Sequence, residues 1–213
     1  MARSRAAPVC TSPPRRGSSR SSSATACAGR RADVGARLAG LADAGSPQGG
    51  DAGDGGPAGV GHHTQLGVLD GEDVIFVERL QAPRAVINFT RVAGWLPLHA
   101  SSSGVVLLAH ASPELQDQVL AGPLKAYTRH TITAPRRLRA FFLDVRTQGF
   151  AVCRGFIHED AAGLDAPLRD RDNRVVAALS VIVPNDEQAR EHQPALLAAA
   201  RAVSRALGAD TSG

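Results

Sequence analysis

The chain has 213 residues, enough for one domain of ordinary size or two small ones. Its formal net charge of +4 sits wholly in residues 1–60, where Arg3, Arg5, Arg15, Arg16, Arg20, Arg30, Arg31 and Arg37 face only Asp33, Asp43, Asp51 and Asp54; the rest is neutral and has no net pull on phosphate. Cys10, Cys27 and Cys153 are too few and too scattered for a disulfide framework or a zinc site, no apolar run approaches the roughly 20 residues that span a bilayer, and no hydrophobic segment follows Arg3 and Arg5 to make a secretory signal, so a reducing, cytoplasmic setting without a membrane partner is expected.

Residues 1–60 are built from Arg, Ser, Ala, Gly and Pro, with Met1, Val9, Val34, Leu38, Leu41 and Val60 as the only large apolar side chains. So little apolar surface cannot offset the entropy of ordering a backbone, and a disordered basic tail is expected. The same mixture results when a coding sequence rich in G and C is read out of frame, and a single Lys, Lys125, among so many Arg points to such a gene.

From residue 61 the pattern changes. Thr64–Leu69 and Val74–Leu80 read as strands around Asp70–Gly71, a hairpin turn signal. Arg84–Val92, rich in β-branched and aromatic residues, reads as a third strand. A helical section follows. "ASSSGVVLLAHA" forms its first helix, Ser112–Pro113 caps and starts a second that Gly122–Pro123 stops, and Thr133 with Pro135 starts a third. Leu138, Phe141, Phe142 and Val145 make the buried stripe of that third helix, and Gly149 suits its C-terminus. Strands resume at Phe150–Gly155, Gly163–Asp170 and Val175–Val183. Pro194–Gly208 is a closing amphipathic helix. Grouped strands joined by hairpins predict an α+β fold, an antiparallel sheet of about six strands flanked by helices, similar to GAF and PAS sensor domains.

"LGVLDGEDVIFVERL", "RVAGWLPLHASSSGVVLLAH", "VLAGPL", "TRHTITAPRRLRAFFLDVRTQGFAV" and "APLRDRDNRVVAALSVIVP" together resemble the effector-binding domain of the IclR family of bacterial transcriptional regulators. They keep the family's order and spacing and cover residues 61–207, which sets the expected domain at 61–209. The resemblance implies a small organic effector, no cofactor, self-association to a dimer or tetramer, and DNA contact through an N-terminal winged helix-turn-helix. Residues 1–60 show no recognition-helix pattern, so that region reads as frameshifted or mis-started, or as that of a degenerate paralogue.

Ser101, Ser102 and Ser103 stand at a helix start, where free N–H groups and the dipole attract carbonyl or anionic atoms; one of them would suffice as a cap. The resemblance implies that Ser102, Ser103 and Ser180 contact ligand. Ser180 also stands out by itself, a lone hydroxyl in a strand apolar on both sides that needs a partner. A leucine at 102 is expected to fill the pocket at little cost in stability. Gly163 stands where the family often has Cys, Ile182 where it has a small polar residue, and an acidic residue expected near Cys153 is absent. These departures argue against a small keto acid and for an aromatic or hydrophobic acid. His99 could contact ligand or fix its loop, the second being favoured. Cys153 beside Arg154 could be an activated thiolate or a small hydrophobe. His62–His63 and His158–Asp160 resemble metal ligands only in composition. No nucleophile elbow, phosphate loop, dinucleotide fingerprint or zinc-hydrolase motif is present, so an enzyme is the weaker reading beside a sensor or a stand-alone binding and dimerisation module.

Overall fold

A computed structural model describes residues 62–80 and 95–210. The basic tail, the start of the domain at residue 61 and the strand expected at Arg84–Val92 lie outside those residues.

Strands β1 (His63–Asp70) and β2 (Asp73–Leu80) form the expected hairpin, with Gly71 at φ 66° in its turn. A short strand that local pattern does not announce, β3 (Trp95–Pro97), pairs with the start of β2. Three helices follow: α1 (Ser102–Ala109), α2 (Pro113–Ala121) and α3 (Pro135–Gln148). Strands β4 (Ala151–Arg154), β5 (Ala161–Arg169) and β6 (Val175–Pro184), a 3-10 turn at Glu187–His192 and helix α4 (Gln193–Ala206) complete the fold. The strands form one antiparallel sheet in the order β3-β2-β1-β6-β5-β4.

The helix boundaries follow their punctuation. Ser112 Oγ accepts from Leu115 N–H and Pro113 opens α2 without needing a donor. Helix α3 also opens on proline, but Ala134 rather than Thr133 holds its cap position, and no side chain caps it. Gly149 closes α3 at φ 76°, a conformation that other residues adopt only under strain, and its N–H reaches Val145 O at 2.9 Å. Along α3, Leu138, Phe142 and Val145 are buried, while Phe141 is half-buried and tilts against Phe156.

Side-chain alternation gives the sheet two apolar faces. Along β5, Ala162, Leu164, Ala166 and Leu168 point one way and pack with Leu66, Val68, Val181 and Val183 against Leu196 and Ala200 of α4. On the other face, Val74, Phe76 and Ala151 meet α1, α2 and α3. Helix α1 is buried along its whole length, wedged between the sheet and α3. The residues between the apolar positions of β5, Gly163 and Asp165, face α1, and there the packing turns polar.

Candidate functional site

The site begins where β3 ends. Ala100 and Ser101 donate their N–H groups to Pro97 O, a tight turn that aims α1 at the centre of the sheet. Ser101 is the helix cap: its Oγ accepts from Gly104 N–H at 3.1 Å and donates to Pro97 O at 3.2 Å. That hydroxyl is committed to the backbone. Ser102 and Ser103 occupy the first turn and lie over β5 and β6.

Beneath them sits Asp165, which is 0% exposed. Ser103 Oγ donates to its Oδ1 at 2.5 Å and Ser180 Oγ donates to its Oδ2 at 3.0 Å. Ser102 supplies a third side-chain hydrogen bond. Asp165 and Ser180 are direct cross-strand partners, which fixes both on the same face. Burial raises the Asp165 carboxyl to about 6, and the three hydroxyls oppose that rise by stabilising the charged form.

Two glycines let α1 approach this closely. A Cβ on Gly163 would stand 2.1 Å from Ser102 Oγ and 2.9 Å from Ser102 Cβ. A Cβ on Gly67 would lie 2.8 Å from Val74 Cγ2 and 3.1 Å from Ser103 Cβ. Gly163 is thus required by the serine above it, a stronger constraint than the loss of a polar contact read from the sequence. The same distance counts against the expectation that leucine at 102 would cost little in stability: the side chain of Ser102 already fills the gap above β5.

The serine cluster forms the floor of a cavity of about 70 Å³ that is partly open to solvent. Ser102, Ser103, Ser180 and Gln65 give it polar groups; Phe76, Leu96, Phe156, Ile157 and Ile182 give it apolar walls. Ser101, Cys153 and Gly163 also line it, so the structure gathers these with Ser102, Ser103, Ser180 and Ile182 at one place. His99 is not part of that lining. It is buried, with Nε2 2.9 Å from Lys125 O, and burial pushes its pKa down, so the ring ties the 98–100 turn to the 125 segment. Cys153 is a free, buried thiol whose pKa is raised well above normal, first by burial and then by the Asp165 charge, the reverse of an activated thiolate. Among the described residues no group of three His, Cys, Asp or Glu could hold a metal ion.

Asp165 is the site residue that sequence reasoning missed. Its signal was present: in "AGLDAPLR" it is a lone carboxylate in a strand apolar on both sides, the same anomaly that singled out Ser180 on the neighbouring strand.

An antiparallel sheet covered on both faces by helices, with a cavity between one face and a helix start, is the architecture of the GAF-like sensor class. The chain belongs to the IclR family: the family model described as "Bacterial transcriptional regulator IclR C-terminal" matches residues 58–209. An IclR homologue from Microbacterium hydrocarbonoxydans, solved in complex with 4-hydroxybenzoate, superposes with a TM-score of 0.66 at 34% identity, covering 88% of this chain and 70% of that one. The glycerol operon regulatory protein of Streptomyces coelicolor is 31% identical over 155 residues, 70% of this chain. The HTH-type transcriptional regulator XynR of Escherichia coli is 29% identical over 154 residues, also 70% of this chain. The chain spans 61% of the length of each of these two regulators. No helix among the described residues is long and apolar enough to cross a membrane.

Proposed function

We propose that this effector-binding domain senses a small aromatic or hydrophobic molecule and passes its occupancy to a DNA-binding, cytoplasmic transcription regulator that works as a dimer or tetramer. The observation that carries the reading is the amphipathic cavity, whose hydroxyl floor lies under walls of Phe76, Leu96, Phe156, Ile157 and Ile182. Apolar walls supply affinity through burial and the few convergent polar groups fix orientation. A relative of similar fold has been solved with an aromatic hydroxy acid. DNA contact and assembly rest on family membership alone.

A thermal-shift screen of single-ring aromatic compounds tests this. A true effector raises Tm by mass action. Ile182 lines the cavity and is only half-buried, so Ile182→Phe fills space without overpacking a core. The shift should disappear in that variant while the ligand-free Tm stays within a few degrees of wild type. An effector that shifts both proteins equally binds elsewhere and ends the reading.

A further inference from the structure

The start of α1 is a place where an incoming anion would ordinarily be welcome, because unpaired N–H groups and the helix dipole converge there. In this chain an anion is already present. Asp165 takes the side-chain hydrogen bonds of Ser102 and Ser103 from the first turn of α1, and of Ser180 from β6. It does not line the cavity; the three serines stand between it and the open space. A charged carboxylate only accepts hydrogen bonds, so each of these serines must spend its single O–H proton on Asp165. What these hydroxyls leave toward the cavity is oxygen lone pairs.

Among the described residues no charged side chain offsets the carboxylate; helix α1 contributes the serines and the positive end of its dipole. Strand β6 contributes Ser180, β4 contributes Cys153 with its thiol held neutral, and β1 contributes Gln65 to the lining. Among the described residues no Lys or Arg lines the cavity, and the imidazole that does, that of His158, lies beside Asp160 with Nδ1 3.8 Å from that carboxylate.

We propose that Asp165 fills the anion position of this pocket with the chain's own carboxylate, so that the effector places an uncharged hydroxyl, as donor, on the Ser102–Ser103–Ser180 floor and a carboxylate is excluded there. The inference rests on the cavity being the effector site, and it narrows the aromatic acid expected from the sequence to a phenol or alcohol. An acid group is tolerated only at the far end of the molecule, toward solvent.

The probes are 4-methylphenol, benzoate and benzylamine, which share a ring and differ in the polar end. Binding to the full chain is followed by calorimetry and thermal shift at about pH 7.5, where both Asp165 and benzoate are ionised. Wild type should bind 4-methylphenol at least about tenfold more tightly than benzoate, because a second negative charge within several ångströms of a buried one costs more than 1.4 kcal/mol. In Asp165→Asn that preference should shrink to about threefold or less. Lowering the pH to about 5, where the wild-type carboxyl is protonated and benzoate is still charged, should admit benzoate to wild type and leave the variant unchanged. Benzoate binding to wild type as tightly as 4-methylphenol at the higher pH overturns the proposal while leaving the effector site intact. Benzylamine as the tightest of the three also overturns it, since the floor would then select a cation. Failure of 4-methylphenol to bind wild type, with benzoate binding gained in Asp165→Asn, upholds the exclusion of carboxylates by Asp165 and overturns the placing of a hydroxyl donor on the serine floor. If neither protein binds any of the three, the carboxylate is not what keeps acids out, and the proposal falls.

Discussion

At the scale of single residues, the Asp165 carboxyl is a cost the fold carries. Its value in the folded protein, about 6, lies above the ordinary 3.8, so the native state holds the proton more tightly than the unfolded chain does. Its contribution is therefore most favourable below the unfolded value, declines as pH rises from there through the folded value, and stays low above it. The difference amounts to about 3 kcal/mol. Asp165→Asn removes this dependence, so the stability difference between wild type and variant should change by about that amount between pH 4 and 8, by denaturant titration at each pH. A parallel pair of curves would show that the carboxyl does not titrate in this range. Gly163 gives a second test. Gly163→Ala should cost about 1–3 kcal/mol, and less in a Ser102→Gly background, because both close contacts come from the Ser102 side chain. Additive costs would contradict that. Ser180 was readable as an anomaly because it breaks an apolar run. Asp165 breaks one too, on the neighbouring strand directly opposite Ser180.

At the scale of elements, the helices were legible and the sheet's edge was not. Ser112–Pro113, Pro135, Gly149 and Gly208 carry their boundaries in local chemistry, and the structure keeps them. Strand β3 has three residues ending in proline, and only its pairing with Asp73, Val74 and Ile75 of β2 makes it a strand, a long-range fact absent from any window of sequence. Helix α1 shows how an element is held by what it lacks. A Cβ on Gly104 would stand 2.6 Å from both Leu98 Cα and Ser101 Oγ and 2.7 Å from Leu98 O. Backbone atoms in a tight turn cannot yield as a flexible side chain can. Gly104→Ala should therefore cost about 3 kcal/mol, despite the better helix propensity of alanine. It should also weaken ligand binding, because the turn it displaces sets Ser102 and Ser103 over Asp165. Equal or higher Tm in the variant would show that the turn relaxes freely.

At the scale of the whole domain, the sheet separates stability from sensing. The cavity opens on the α1 side, whereas Leu196, fully buried, anchors α4 to the opposite face. Leu196→Ala should lower stability by about 2–5 kcal/mol and leave the affinity of any effector unchanged under conditions where the domain is still folded. A parallel loss of affinity would mean the two faces communicate through the sheet. The antiparallel α+β class was readable from grouped strands and hairpin signals, and the family from ordered segments; which strands meet at the centre was not, because no local signal encodes it. The centre is the β1–β6 pair, with His63 opposite Ile182 and Gly67 opposite Ala178. The first described strand is thus completed by the last. Two hairpins, β1–β2 and β5–β6, can each form early from nearby residues, but joining them closes a loop that contains every helix except α4. During synthesis β1 waits with an unpaired edge until β6 has emerged, and Ser180 arrives with that strand. The floor of the cavity is therefore assembled only when the two hairpins join, and a chain interrupted before residue 180 lacks both the complete β1–β6 pairing and Ser180.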